Sequence, residues 1–421
     1  MSLNSEVTTP PSHPTLGSAQ RNTLLWSMLV TFLVLFATYA GVIAILLPAQ
    51  IEALDHANKA ANLALVTSIS SLATLFAQPI VGAFSDRTRS KWGRRSPYIV
   101  IGAAVGGLLL VGLQGLTSIV WITICWVLIQ VSLNALQGPV STIVADRIET
   151  EHRATASAFL GVGTSIGATL GIILAGNLVT HIGVGYDIFG IAIILVAVAF
   201  VLVNRDYSTA NAPVEPIQWG AFARSFWVSP RKHPDYGWAF AGRFVMILGY
   251  QAIQAYLLYI LMDYLHMPAA EAGSFAGIVS LVSAVTMIIA TLVAGRISDR
   301  LGRRKMFVFF ATIFMALALA IPVFFPTPAG MLTYSAIIGI GYGAYMAVDM
   351  ALMVDVLPSQ GDAGKDLGVL NVATNIPQAM SPLIAAALLG AFGGNYAVIF
   401  IFAIIMVFAS SFFVLPIKSV K

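Results

Sequence analysis

Long apolar stretches alternate with short polar or charged turns along almost the whole of this 421-residue chain. A helix needs roughly 20 mainly apolar residues to cross the hydrocarbon core of a bilayer. On that criterion the pattern predicts twelve spans, at residues 24–48, 63–84, 97–117, 119–145, 154–179, 185–203, 238–262, 272–295, 305–325, 331–355, 366–391 and 395–417. The sequence therefore predicts an all-α integral membrane protein with twelve transmembrane helices.

Composition and charge distribution support this prediction and suggest an orientation. Hydrophobic residues make up 58% of the chain and charged residues only 10%, too few to cover a soluble globule. Lysines and arginines, Lys59 excepted, lie in the termini, in the turns after even-numbered spans or at the adjoining helix ends. Because such residues concentrate on the cytoplasmic side, we expect a multi-pass inner-membrane protein with both termini in the cytoplasm. This explains the net charge of +4 without a nucleic-acid partner.

The polar segments divide the chain into two halves. Residues 1–20 are rich in Ser, Thr and Pro and are expected to form a disordered cytoplasmic tail. Residues 21–203 and 237–421 are each predicted to form a six-helix bundle. Residues 204–236 are predicted to form a cytoplasmic linker, whose aromatic and basic side chains suit the inner membrane surface.

A short basic motif occurs twice, after span 2 and after span 8. The first copy reads GAFSDR at 82–87 and, after a spacer, GRR at 93–95; the second reads GRISDRLGRR at 295–304. A repeat about half the chain long indicates a duplicated membrane bundle. The paired motif resembles that of the major facilitator superfamily. The resemblance implies two pseudo-symmetric six-helix bundles and transport by alternating access.

The first copy also resembles one branch of that superfamily. Its expanded spacer, at 88–92, is similar to that of the sucrose transporters and the glycoside-pentoside-hexuronide cation symporters. The stretch from Gly138 to Asp146 and the stretch 367–378 resemble the sucrose transporters as well. Span 1, however, has no acidic residue where melibiose-type symporters place one, and Ser141 stands where sucrose transporters carry a sugar-binding arginine. The resemblance therefore leaves the solute and the coupling ion, proton or sodium, open.

Polar side chains recur at helical spacing inside several spans, where they usually face the bundle interior or a water-filled path. The resemblance implies that spans 1, 4, 7 and 10 line a central cavity. Amides and tyrosines suit a neutral polar solute such as a sugar; the alternative is that some of them only join helices. The predicted substrate-binding residues are Tyr39, Gln130, Asn134, Gln137, Tyr250, Gln251, Gln254, Tyr342, Tyr345, Asn371 and Asn375. In span 5, Gly163, Gly167 and Gly171 predict close helix packing.

Asp349 is an acidic residue well inside span 10, and a carboxylate there is costly unless it is paired or protonated. One hypothesis is that Asp349 takes up and releases the coupling proton. The alternatives are a fixed ion pair, for instance with Arg243 of span 7, and hydration from the inner end of the span.

The basic turns are predicted to form a cytoplasmic gate. By resemblance, acids and arginines at matched positions of the two halves hold that side shut; the alternative is that they serve topology and weak surface ion pairs. Asp146 and Arg153 resemble an acid–arginine pair of the superfamily. The predicted gate residues are Asp86, Arg87, Arg94, Arg95, Asp146, Arg153, Asp299, Arg300, Arg303, Arg304 and Asp355.

These observations predict a secondary active transporter that imports a sugar, glycoside or related neutral solute with protons. The alternatives are a facilitator or exporter of another metabolite or drug and, outside transport, a transporter-like membrane sensor. An enzyme is not expected, since the spans hold no histidine–acid cluster, metal-ligand motif or nucleophile motif. We expect no cofactor beyond the coupling ion, no metal site, a small-molecule solute and the lipid bilayer as partners, and a monomer.

Overall fold

A computed structural model describes residues 17–207, 233–301, 304–356 and 363–418 of the chain. The described residues form twelve long helices, numbered here α1 to α12. They span Ser18–Leu54, Lys59–Arg87, Ser96–Leu113, Ile119–Arg147, Arg153–Asn177, Ile182–Val203, Pro234–Tyr264, Ala269–Leu301, Arg304–Phe324, Pro328–Asp355, Ala363–Ala391 and Ala397–Phe413. Each coincides with one predicted span, so the twelve-helix fold is confirmed. Most of the predicted tail and linker lies outside the described residues.

The helices have the length and composition that a bilayer requires. Ten of them are long and apolar enough to cross a membrane, and α7 is an eleventh if its two parts count as one span. The last helix, Ala397–Phe413, is apolar but shorter. Large apolar side chains such as Ile101, Leu108 and Leu195 are more than 60% exposed. Such an outer surface would aggregate in water, whereas lipid tails cover it at no cost.

Small residues bring α1 and α5 into backbone contact, as the spacing of the span 5 glycines predicts. A Cβ atom added at Gly163, Gly167 or Gly171 would lie 2.6, 2.3 or 2.1 Å from a carbonyl oxygen of α1. Any larger side chain at these positions would push the two helices apart. The glycine face therefore fixes the α1–α5 pair in the first bundle.

The two halves, α1–α6 and α7–α12, meet along α2 with α11 and along α5 with α8. We call the helix ends that carry Arg87, Arg95 and Arg153 the basic end, and the ends near Lys59 and Asp263 the opposite end. Hydrogen bonds and an ion pair between described residues join the two halves at the opposite end. The halves are thus held together at the opposite end.

One helix is bent. The helix α7, which corresponds to the span predicted at 238–262, bends by 54° between Pro234–Ala255 and Leu257–Tyr264. A π-helical turn, Ile260–Tyr264, follows the bend. The fully buried Tyr256 lies at the break, and its hydroxyl donates to carbonyl oxygens of Ala60 and Pro382. Hydropathy averages over a window and cannot register such a break.

Candidate functional site

A buried ion pair joins α7 to α10 inside the second half. Arg243 donates from Nη1 to Asp349 Oδ2 at 2.7 Å, and from Nε to the Thr374 hydroxyl of α11 at 3.2 Å. The two charged residues are 7% and 3% exposed. Low polarity around such a pair strengthens the attraction, but it also makes either charge alone very costly. The pairing with Arg243 that the sequence offered as an alternative is therefore present, and Thr374 is a third member that sequence reasoning missed.

Tyrosines surround this pair. The rings of Tyr250 and Tyr342 stack at a centroid distance of 4.5 Å and an interplanar angle of 11°, and Gln254 donates to the Tyr250 hydroxyl. The Tyr345 hydroxyl is directed towards Asp349 but makes no hydrogen bond of ordinary geometry. Among the described residues the buried Tyr39 hydroxyl of α1 also has no hydrogen-bond partner. The Tyr39 hydroxyl can thus donate to a solute without breaking a bond in the protein.

The remaining predicted substrate residues make fewer contacts with the tyrosines and the ion pair. Gln130 and Asn134 are buried in α4, where the Asn134 amide donates to the Gln130 carbonyl oxygen at 2.7 Å. Three further residues are partly exposed, namely Gln137, Gln251 and Asn375. Among the described contacts, no hydrogen bond joins the α4 amides to the α7 and α10 tyrosines. The Asn371 side chain lies outside the described part of the structure, and a substrate role for the whole set stays a prediction.

At the basic end, four of the predicted gate residues form one network across α2, α3 and α4. Arg95 is only 4% exposed and reaches Asp86 at 2.7 Å and Asp146 at 3.0 Å, while Arg94 reaches Asp146 at 2.7 Å. Arg95 also donates to the Ser85 hydroxyl at 3.1 Å. All these residues belong to the first half. The network therefore joins three helices of one bundle and does not itself join the halves.

Arg153 does not form the expected pair with Asp146. It donates instead to the carbonyl oxygens of Ile148 and Ala145, at 3.1 and 3.0 Å. The reason is local, because carbonyl groups at the end of α4 lack helical partners and carry partial negative charge, while the Asp146 carboxylate faces α3. Arg153 thus caps α4.

The other predicted gate residues contribute less to the described geometry. Arg87 donates to the Ala83 carbonyl oxygen at 2.8 Å, Arg300 is exposed at the end of α8, and Arg304 begins α9. Arg303 and the side chains of Asp299 and Asp355 lie outside the described part of the structure. A gate role for this set stays a prediction.

Twelve apolar helices in two bundles, with a charge pair and tyrosines buried among them, define a polytopic membrane transporter. Residues 27–291 and 239–420 match the Major Facilitator Superfamily in two overlapping segments that cover almost the whole chain. The chain therefore belongs to the Major Facilitator Superfamily, and it is a transporter of solutes, not an enzyme.

Three transport proteins are similar to parts of this sequence. The MFS transporter asaE of Aspergillus flavus is 24% identical over 64% of this chain and 58% of its own length, so the chain spans less than two thirds of that protein. The cis,cis-muconate transport protein of Acinetobacter baylyi is 25% identical over 68% of this chain and 70% of its own. The sucrose transport protein SUC4 of Arabidopsis thaliana is 32% identical, over 24% of each chain.

Solved structures confirm the fold. The nucleoside transporter NupG aligns with a TM-score of 0.74 at 15% identity, over 94% of this chain and 100% of that one. A D-xylose-proton symporter aligns with a TM-score of 0.68 at 14% identity, over 96% and 98% of the two chains. At this identity the likeness concerns the fold alone, two bundles of six helices each.

Proposed function

We propose that the protein is a secondary active transporter that moves a small polar solute together with a proton. The observation that carries the proposal is the buried Arg243–Asp349 pair, towards which the Tyr345 hydroxyl is directed. A proton on Asp349 removes its charge and weakens its hold on Arg243. The guanidinium then contacts the solute, and losing the pair changes how α7 packs on α10. Proton and solute thereby favour the same rearrangement.

A sugar or glycoside is the solute class that the aromatic and amide groups favour. Stacked Tyr250 and Tyr342 offer flat apolar faces, and Gln254 adds an amide beside them. Such faces pack on sugar rings while amides exchange hydrogen bonds with hydroxyl groups. The likeness to a sucrose transport protein supports this choice.

A small carboxylate is the second candidate, and Arg243 favours it. The guanidinium uses Nη1 and Nε on Asp349 and Thr374, while Nη2 makes no hydrogen bond with a described residue. A planar guanidinium group with one unused N–H donor can form a hydrogen bond with a carboxylate oxygen of the solute. The likeness to a cis,cis-muconate transport protein points the same way.

We further propose that the basic end faces the cytoplasm, which the bias of lysine and arginine supports. In that orientation the described structure is closed towards the outside. The Asp86–Arg95–Asp146 network then holds α2, α3 and α4 as one unit at the cytoplasmic surface. Its counterpart in the second half completes the gate when the transporter closes on that side.

Uptake into proteoliposomes tests the proposal. Labelled sucrose, D-xylose and cis,cis-muconate are each offered with an inward proton gradient, with a sodium gradient and with neither. We expect accumulation above equilibrium only with the proton gradient. Asp349→Asn should abolish accumulation but retain exchange of labelled for unlabelled solute.

The matched control is Asp187→Asn, because Asp187 accepts a hydrogen bond from Gln114 inside the first half and the described structure gives it no contact with the second half. This variant should accumulate solute like the unmodified protein. Full proton-driven accumulation by Asp349→Asn would contradict the coupling role. Accumulation driven by the sodium gradient alone would show that sodium, and not the proton, is the coupling ion.

A further inference from the structure

Lys59 is one of the least exposed charged residues in the described part of the structure. Among the lysines and arginines, the sequence places it alone on the face opposite the basic turns. It is 6% exposed at the start of α2. Its Nζ lies 2.7 Å from Glu52 Oε1 of α1 and 2.8 Å from Asp263 Oδ1 of α7. Since Glu52 belongs to the first half and Asp263 to the second, a single ammonium group bridges the two bundles.

Further contacts of α7 surround this bridge. Asp263 also accepts a hydrogen bond from the Tyr396 hydroxyl, at 2.7 Å from its other oxygen. The Lys59 ammonium lies 4.8 Å from the centre of the Tyr259 ring, within reach of a cation–π attraction. The Tyr259 hydroxyl donates to the Pro48 carbonyl oxygen of α1 at 2.9 Å. Both carboxylates and the ring of Tyr259 thus converge on one cation.

The turn that presents Lys59 is itself fixed. Asp55 accepts hydrogen bonds from the backbone and side chain of Asn58 and from Asn62. These bonds hold the pKa of the Asp55 carboxyl below its usual range. These bonds lie within the first half, so the turn between α1 and α2 is held independently of the contact between Lys59 and Asp263.

We infer that Lys59 is the latch that holds the two halves together at the end opposite the basic turns. It acts as a positioning residue: it contacts no solute, and it sets the balance between states that are closed and open at this end. Without the ammonium group, Asp263 has no cationic partner, Glu52 keeps only His56 at 3.3 Å, and the two carboxylates repel each other. The inference rests on alternating access in the proposed function, but it depends on neither the solute nor the coupling ion.

The test measures the distance between the halves directly. Cys125, the single cysteine, is replaced by serine, and spin labels are attached to cysteines placed at the exposed Ala57 and Glu271, one on each half. Pulsed electron resonance then gives the distance distribution in lipid nanodiscs without solute. We expect a short distance in the parent protein and a second, longer distance in Lys59→Gln. The open-to-closed ratio should rise about tenfold or more, as expected for loss of a charged hydrogen bond.

Three variants make the result specific. Lys59→Arg keeps the charge and should retain mainly the short distance, whereas Asp263→Asn should open the protein in the same direction as Lys59→Gln. Asp187→Asn removes a charge at the same end without touching the other half, and should change nothing. An unchanged short distance in both Lys59→Gln and Asp263→Asn would overturn the inference, even if transport proceeds as proposed. If Lys59→Gln fails to fold, Asp263→Asn alone decides.

Discussion

The Arg243–Asp349 pair predicts a large loss of stability when one partner is neutralised. The two atoms lie 2.7 Å apart, so the gross attraction is about 6 kcal/mol at an effective dielectric constant of about 20. Asp349→Asn keeps the shape and one hydrogen-bond acceptor but leaves the guanidinium charge uncompensated. Removing one member of a buried pair costs about 3–5 kcal/mol. Because the amide oxygen still accepts from Arg243, we expect the lower part of that range.

The basic end supplies a matched control. Asp86 pairs with Arg95 at the same distance of 2.7 Å, but its side chain is 52% exposed. Water and salt screen such a pair, and exposed pairs contribute only about 0–1 kcal/mol. Asp86→Asn should therefore cost less than a third of what Asp349→Asn costs. The double variant Arg243→Met with Asp349→Leu replaces both charges with apolar groups and should recover most of the lost stability, but not transport.

Unfolding in mixed micelles of mild and denaturing detergent, followed by tryptophan fluorescence, gives the free energy of unfolding of each variant. Arg243→Met alone and Asp349→Leu alone complete a double-mutant cycle that isolates the coupling between the two side chains. The reasoning would be refuted if Asp349→Asn and Asp86→Asn were destabilised equally. It would also be refuted if the two single effects at Arg243 and Asp349 simply added in the double variant.

Two further substitutions test the packing and the gate. Gly171→Leu should reduce the yield of folded, monodisperse protein, since a Cβ atom there would lie 2.1 Å from the Ala37 carbonyl oxygen and overpacking costs about 1–3 kcal/mol or more. The control is Gly161→Leu, where a Cβ atom would meet nothing within 4 Å. Equal yields of the two variants would contradict the packing argument. Asp86→Ala should lower the maximal rate of solute uptake with little change in KM, because its network lies at the basic end and not beside the tyrosines. A change confined to KM would count against a gate role.

The sequence was sufficient to predict the helices and to predict that one of them packs closely against a neighbour. Twelve apolar runs predicted twelve helices because bilayer thickness sets the required length and a helix satisfies its backbone hydrogen bonds within the segment itself. The spacing of Gly163, Gly167 and Gly171 predicted a close contact, and α1 is the partner. Periodicity alone could show that α5 had such a face, but not which helix would meet it.

The partners in the ion pairs were harder to predict from the sequence, since the fold brings together residues that are far apart along the chain. Asp349 stood out because an acid inside a span is costly, and Arg243 was one candidate partner 106 positions away. For Asp146 the nearby Arg153 was the natural expectation, yet the fold brings Arg94 and Arg95 of the neighbouring helix closer. In the sequence, Lys59 differed from the other lysines and arginines only in lying on the face opposite the basic turns. Its partner Asp263, 204 positions away, could not be inferred.

The bent helix α7 connects the two charged centres. Its first part carries Arg243, and its second part carries Tyr259 and Asp263, which meet Lys59. Between them lies Tyr256, whose hydroxyl contacts α2 of the other half. We therefore expect a rearrangement of α7 against α10, such as release of Arg243 from Asp349, to move the second part of α7 and so to affect the latch. Because the latch lies between the halves and the pair lies within one half, loss of the pair can change the balance of open and closed states without contacting Lys59.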